Sequence, residues 1–204
     1  MVKKVFIFCV VLFILLNCVN VYHYFLKNRQ EVEVQVESKT IKEEKKEKDS
    51  IKKKALPVKL KFLKPSISVP IRLVSVDEKQ RMEVPEGLKE AGWLKNSAIP
   101  GEKGTSLIAA HRDWKNELGP FSYLEKMDQK DQIEITFSNG KKKYFEFKRK
   151  KKVDTEADPD ASIDVKQKTT SQVVLISCTG KFNHRTGNYN QRELVYLIPE
   201  KVKK

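Results

Sequence analysis

Apolar and polar positions change rhythm along this chain, and the changes divide it into three parts. Residues 5–16 form an unbroken apolar run, extended by a mixed stretch that ends Tyr22-His-Tyr-Phe-Leu26. Residues 27–56 are dominated by Lys and Glu and contain no aromatic residue. From residue 57 onward, short apolar or alternating runs are separated by turn residues, the period-two texture of β-strands. This texture predicts strands over 66–69, 73–76, 106–110, 132–137, 144–150, 173–177 and 194–198. Asn139-Gly140 between two of them is a hairpin signal. Phe121-Ser-Tyr-Leu124, after Gly119-Pro120, predicts one short helical turn, and 154–168, with Asp158-Pro159-Asp160, a long loop. Many short strands and no internal repeat predict an all-β fold for 57–204, a closed barrel of about eight strands.

The apolar N-terminus, 1–26, allows three readings: a cleaved signal peptide, a lipoprotein signal or an uncleaved anchor. No small-x-small cleavage site follows the run, and Leu15-Leu-Asn-Cys18 has Asn17 where a lipobox holds a small residue. Taken as one helix, 5–26 is about 20 residues long, enough to cross a bilayer. Tyr22, His23 and Tyr24 would then lie at headgroup level, and Lys3 and Lys4 favour a cytoplasmic N-terminus. The expectation is a single-pass transmembrane helix in the cell membrane, with the barrel outside the cell. Residues 27–56 are expected to be a charged, solvated spacer, helical in part where Lys and Glu interleave.

The net charge is +14. The lysines are spread over the spacer and several strands, with no aromatic RNA-binding signature and no helix-turn-helix pattern, which argues against nucleic acid as partner. A solvated basic surface is the simplest reading; attraction to anionic lipid headgroups or acidic wall polymers is the functional one. Of three cysteines, Cys9 and Cys18 fall in the apolar N-terminus. Cys178 is the only thiol of the outer domain and has no disulfide partner, which invites a reactive role.

Its surroundings sharpen that role. Ser106-Leu-Ile-Ala-Ala-His111-Arg, Val174-Leu-Ile-Ser-Cys178-Thr and Tyr189-Asn-Gln-Arg192 place an imidazole, a thiol and a guanidinium at the ends of predicted strands. Together these groups suit acyl transfer: a thiolate attacks a carbonyl, an imidazole moves protons, and a permanently charged fork stabilises the oxyanion. His184 and Arg185 are rival candidates, but both sit in a polar loop. Arg112 and Asp113 either orient His111 or form an exposed ion pair. Ser177 and Thr179 either add hydrogen bonds near the thiol or cap the strand end. A zinc site from His111, Cys178 and His184 lacks paired ligand spacing, and no cofactor is expected.

Over essentially all of 57–199 the chain resembles the sortases, cysteine transpeptidases of Gram-positive cell surfaces. The strand Val174-Leu175-Ile176-Ser177-Cys178 is similar to the family's Thr-Leu-x-Thr-Cys sequence, with Val for the first Thr and Ser for the second. Asn183-His-Arg-Thr-Gly187 through Tyr189 to Arg192 resembles the approach to the family's arginine. Gly92-Trp93, Pro100-Gly101, Gly104 and Leu107-Ile-Ala-Ala-His111, followed by Phe121 and Leu124, resemble its approach to histidine, with Ala110 where many members have Gly. Val84-Pro85 and Ala91-Gly-Trp93 are most similar to classes D to F, class F foremost. The resemblance implies Cys178 as nucleophile, His111 as acid and base, and Arg192 as oxyanion donor. It further implies surface proteins bearing a Leu-Pro-x-Thr-Gly-like signal (LPxTG) as substrates, and a peptidoglycan precursor or other amine as acceptor.

Two other readings stay open. A peptidoglycan L,D-transpeptidase also pairs Cys with His, but Ser177-Cys178-Thr179 lacks the glycines of that pattern. A non-catalytic cationic module binding anionic wall polymer would account for the lysine surplus.

Overall fold

The computed structural model describes residues 54–79, 81–155, 157 and 169–200. The expected anchor, almost all of the spacer and most of the 154–168 loop lie outside these residues. Among the described residues no helix is long and apolar enough to cross a membrane.

The period-two texture becomes ten strands: β1 (Pro57–Phe62), β2 (Ser68–Val74), β3 (Ala91–Leu94), β4 (Gly104–Ala109), β5 (Asp113–Trp114), β6 (Glu117–Leu118), β7 (Gln132–Phe137), β8 (Lys142–Asp154), β9 (Ser171–Asn183) and β10 (Asn188–Pro199). Eight of them close a barrel in the order β1-β2-β3-β4-β9-β10-β8-β7, while β5 and β6 form a separate small hairpin. Two of the barrel's pairings are parallel, β2 with β3 and β4 with β9. The expected helical turn is a 3-10 helix, Pro120–Lys126, which buries Phe121 and Leu124.

Alternation explains where the core lies, because successive side chains of a strand face opposite sides. Leu60, Phe62, Ile108, Ile133, Ile135, Phe145, Leu175, Val195 and Leu197 are fully buried in the main core, joined by Phe121, Leu124 and Met127 from around the 3-10 helix. The intervening residues of the central strands, Leu107, Val174, Leu194 and Tyr196, form a second cluster on the other face, covered by Met82 and Leu94. Met82 and Pro85 of the following segment are held there by contact. A Cβ on Gly92 would lie 2.9 Å from both Val74 methyls and 3.1 Å from Pro85 Cδ, so this strand and Val84-Pro85 pack as one unit.

Strand 132–137 coincides with β7. The expected strands 66–69 and 73–76 are one element, β2, with Pro70 paired to Lys59 inside it. Those at 144–150, 173–177 and 194–198 are the middles of longer strands whose polar ends the apolar pattern does not mark. β1 and the short β3 carry weak signals, one interleaved with Lys and the other containing Gly. At Asn139-Gly140 the turn forms as expected: Gly140 has φ of 78°, and Asn139 Oδ1 accepts the Lys141 amide at 3.1 Å.

Phe62 stacks edge-on against Phe121 and Tyr123, with ring centroids 5.8 and 5.6 Å away. Phe62→Ala is therefore expected to cost about 3–5 kcal/mol of stability. Val58→Ala, on the exposed side of the same strand, should stay within about 0.5 kcal/mol. Denaturant melts of the two variants against the parent measure both.

Candidate active site

Strand register sets the site. In the parallel pair β4 and β9, Ala109 lies opposite Ile176, and the Ala110 amide donates to the Ile176 carbonyl at 3.2 Å. The same offset carried two residues further sets His111 level with Cys178. On the other side, Arg192 of β10 is the cross-strand partner of Cys178. Alternation gives all three the same face, since Leu107, Val174 and Leu194 precede or follow them by even steps. Directly opposed residues of an antiparallel pair have Cβ atoms about 5 Å apart, so the guanidinium is rooted beside the thiol.

His111 and Cys178 line one cleft of about 270 Å³, together with Asp113, Trp114, Phe182 and Tyr189. Arg192 is not part of that lining. Its Nη1 donates to the Tyr189 and Gln191 carbonyls, each at 3.0 Å, which folds the guanidinium against its own strand. The His111 ring packs at 5.0 Å on the indole of Trp114. Trp114 belongs to the β5–β6 hairpin, whose turn uses positive φ at Lys115 and Asn116.

The electrostatics favour neutral partners at rest. Burial pushes the Cys178 thiol above its ordinary value; the nearby Arg192 and Arg112 charges pull it down, and Asp113 pushes it up. Burial also holds the His111 imidazole below its ordinary value, against the opposing pull of Asp113.

Arg112 and Asp113 form more than an exposed ion pair. Arg112 Nη1 donates to Asp113 Oδ2 at 2.6 Å, and its Nε donates to Glu125 Oε1 at 3.0 Å. The Tyr189 hydroxyl also donates to Asp113 Oδ2. Thr179 Oγ1 donates to Glu125 Oε1 at 2.7 Å. Burial raises the Glu125 carboxyl, but the hydrogen bonds from Thr179 and Arg112 outweigh it and hold the group below its ordinary value. Ser177 faces the other way, with its hydroxyl buried and without a partner among the described residues. The rivals His184 and Arg185 lie exposed in the β9–β10 turn, His184 edge-on to Phe182 at 5.0 Å. Among the described residues no group of three or more His, Cys, Asp and Glu side chains is gathered to hold a metal ion.

Sequence reasoning did not assign Glu125, Trp114 or Tyr189 to the site. Tyr189 stood inside a recognised motif, and Trp114 lay three residues from His111. Nothing local marks Glu125.

A Sortase domain model matches residues 65–199. Among solved structures the chain is similar to Sortase A from Corynebacterium diphtheriae, at 21% identity and a TM-score of 0.53, covering 74% of this chain and 63% of that one. It is also similar to sortase C1 from Streptococcus agalactiae in complex with MTSET (20%, 0.54, covering 72% and 69%). Sortase C1 from Streptococcus suis is a third such structure (16%, 0.53, covering 74% and 75%). The chain thus spans less than two thirds of the corynebacterial protein's length. At these identities the likeness speaks for the fold. No curated protein matches.

The backbone around His111 has no slack on one side. A Cβ on Gly119 would stand 2.7 Å from the His111 carbonyl oxygen and 2.7 Å from Leu88 Cδ2, while the Gly119 amide already donates to the Arg112 carbonyl at 2.7 Å. Gly119→Ala is expected to cost about 1–3 kcal/mol by overpacking. Differential scanning calorimetry should show a melting temperature several degrees lower; an unchanged one would mean the contact yields freely.

Proposed function

The chain belongs to the sortase family, and on that premise we propose that it is a membrane-anchored cysteine transpeptidase with Cys178, His111 and Arg192 as its catalytic residues. The register that sets the imidazole just beyond β4 abreast of the thiol on β9 and the guanidinium on β10 is the observation that carries this reading. The substrate class is a surface protein with a Leu-Pro-x-Thr-Gly-like signal. The anchor is 5–26, supported by its apolar run and flanking lysines, and it would hold the barrel outside the cell membrane. Val84-Pro85 and Ala91-Gly-Trp93 support placement in classes D to F, nearest class F.

The chemistry rests on these three groups. The Cys178 thiolate adds to the carbonyl of the scissile peptide bond, and the oxyanion takes donors from the Arg192 guanidinium, whose charge does not titrate away in a partly dry cleft. Collapse breaks the C–N bond, with His111 delivering a proton to the departing amine, and leaves a thioester on Cys178. The incoming amine then adds to that thioester, loses a proton to His111 and expels the thiolate. The acceptor is a peptidoglycan precursor or another primary amine.

Replacement of Cys178 by Ala should abolish both transfer to an added amine and the thioester adduct, followed by mass spectrometry on a Leu-Pro-x-Thr-Gly peptide pool. Undiminished transfer in that variant would rule out the assignment.

The resting charges also set a pH profile. Reaction requires thiolate and imidazolium together, while burial holds the imidazole below its ordinary value and the thiol above its own. Between the two, thiolate rises tenfold per pH unit as imidazolium falls tenfold, so their product is constant. Below the imidazole value the thiolate fraction alone falls, and above the thiol value the imidazolium fraction alone falls. kcat/KM should therefore show a broad plateau across neutral pH with one limb on each side, whereas alkylation of Cys178 by iodoacetamide should climb steadily through it. An alkylation plateau already reached at pH 7 would contradict the shifts.

The family match leaves the L,D-transpeptidase reading without support. One observation favours a cationic surface role alongside catalysis: Lys148, Arg149, Lys150, Lys151 and Lys152 are consecutive on β8, and all are exposed. Wall-polymer binding that survives Cys178→Ala would separate this role from the chemistry.

A further inference from the structure

The residue after His111 and the residue after Cys178 meet on a single oxygen atom. Glu125 Oε1 accepts Arg112 Nε at 3.0 Å and Thr179 Oγ1 at 2.7 Å. Glu125 itself sits near the end of the 3-10 helix, where Phe121 and Leu124 are buried in the barrel core. Its carboxylate is therefore anchored from below; Glu125 is not itself part of the cleft lining but bonds Arg112, which is.

We propose that Glu125 is a positioning residue for the transpeptidation, its carboxylate tying the chain just beyond β4 to β9 so that imidazole and thiol keep the spacing that proton transfer needs. The inference rests on the catalytic reading above. Three observations support it. First, β4 pairs with β9 only as far as Ala109, and the Ala110 amide makes the last ladder-like bond. His111 therefore lies two residues past the last paired residue, where the register that points it toward Cys178 is no longer backed by a backbone bond of its own. Second, the Glu125 bridge acts one residue beyond each partner, on Arg112 and Thr179. Third, the bridge continues: Arg112 Nη1 and the Tyr189 hydroxyl share Asp113 Oδ2, and the Tyr189 carbonyl accepts Arg192 Nη1 at 3.0 Å. A belt running Thr179–Glu125–Arg112–Asp113–Tyr189 thus contacts the neighbours of His111 and Cys178 and ends on Arg192 itself. Glu125 is the only member of it drawn from outside the β4–β6 and β9–β10 segments.

The carboxylate matters as a charge as well as an acceptor. One donor is a guanidinium, and charge-assisted bonds of this kind are shorter and roughly twice as strong as neutral ones. Glutamine keeps an acceptor oxygen but removes the counter-charge, and alanine removes both. A misplacement of about 1 Å between reacting groups costs on the order of a hundredfold in rate.

The test separates positioning from folding. Full-length protein carrying Glu125→Gln, Glu125→Ala or Thr179→Val is assayed for transfer of a Leu-Pro-x-Thr-Gly peptide pool to glycinamide, and in parallel for Cys178 alkylation by iodoacetamide at pH 10. Alkylation needs only the thiolate, whereas transfer needs thiol and imidazole in register. Expected is a kcat lower by about tenfold for Gln and Val and about a hundredfold for Ala, KM within twofold, and alkylation unchanged. Combining Glu125→Gln with Thr179→Val should cost less than the product of the two separate losses, because one weakens the Arg112 arm and the other removes the Thr179 arm of a single carboxylate bridge. Glu125→Ala that fails to fold leaves Gln and Val to carry the test. An undiminished kcat in both, or a kcat loss matched by equal losses in alkylation and thermal stability, would overturn the proposal. Failure of the catalytic reading looks different: parent protein without transfer, or transfer that survives Cys178→Ala.

Discussion

The site depends on the register of three neighbouring strands. β9 is paired on one side, in parallel, with β4 and on the other, antiparallel, with β10. Side chains alternate with a period of two, so a slip of one residue would turn every side chain to the opposite face. Slipping β9 would send Cys178 toward the barrel interior and offer the Ser177 hydroxyl to the cleft. The interior residues Ile108, Leu175 and Val195 are fully buried, and the opposite face of the same strands carries the cluster of Leu107, Val174 and Leu194. Apolar burial on both faces leaves no cheap alternative register. Hydrophobic packing far from the chemistry therefore fixes where the thiol sits.

The same alternation sorts the charges. Arg192 and Glu193 are adjacent in sequence, yet they face opposite sides of β10. Glu193 lies inside the barrel, fully buried, with both carboxylate oxygens lacking a hydrogen bond among the described residues. Lys152 Nζ stands 3.9 Å away, and burial raises the carboxyl's pKa against the opposing pull of the Lys152 and Lys150 charges. Glu193, facing inward, makes no ion pair with Arg192. The guanidinium instead meets the Tyr189 and Gln191 carbonyls on the side of Cys178. The cations offset part of what burial does to the thiol without reversing it, so the resting pair is uncharged and the reactive ion pair is a minor state.

Each feature was legible in the sequence to the extent that it depends on local pattern. Apolar alternation revealed the middles of β7, β8, β9 and β10, because burial demands it there. It could not reveal residues 181–183 and 188–191, which apart from Phe182 are polar, are partly or wholly exposed, and become strand only because the hairpin continues past the core. His111, Cys178 and Arg192 were legible because each ends or begins an apolar run, where a side chain emerges from packing. Their order along the sheet was not, since the parallel pairing of β4 with β9 leaves no local trace. Glu125 was hidden for the same reason. Its partners Arg112 and Thr179 lie on opposite sides of it in sequence, and only the docking of the 3-10 helix brings the three together.

One irregularity shapes the mouth of the cleft. Pairing of β9 with β10 runs from Arg192 opposite Cys178 to Gln191 opposite Thr179, then jumps to Tyr189 opposite Phe182. Gly180 and Lys181 thus face the single residue Asn190, a β-bulge, with Gly180 at φ of 82° and Asn190 Oδ1 accepting the Lys181 amide at 2.7 Å. Such a bulge twists its strand and re-aims the side chains beyond it. Strict alternation from Arg192 would turn Tyr189 away from the face of Cys178; with the bulge, Tyr189 and Phe182 both line the cleft, their rings 5.1 Å apart. Glycine suits the position, since its φ of 82° is a backbone conformation that side chains disfavour, and a Cβ there would push aside Asn190 Oδ1, 2.5 Å away. The Tyr189 hydroxyl can reach Asp113 because of this turn of the hairpin. The bulge at Gly180 and the bridge at Glu125 therefore act on the two ends of one hydrogen-bonded belt, one by bending β9 beyond the thiol and the other by holding the chain beyond the imidazole.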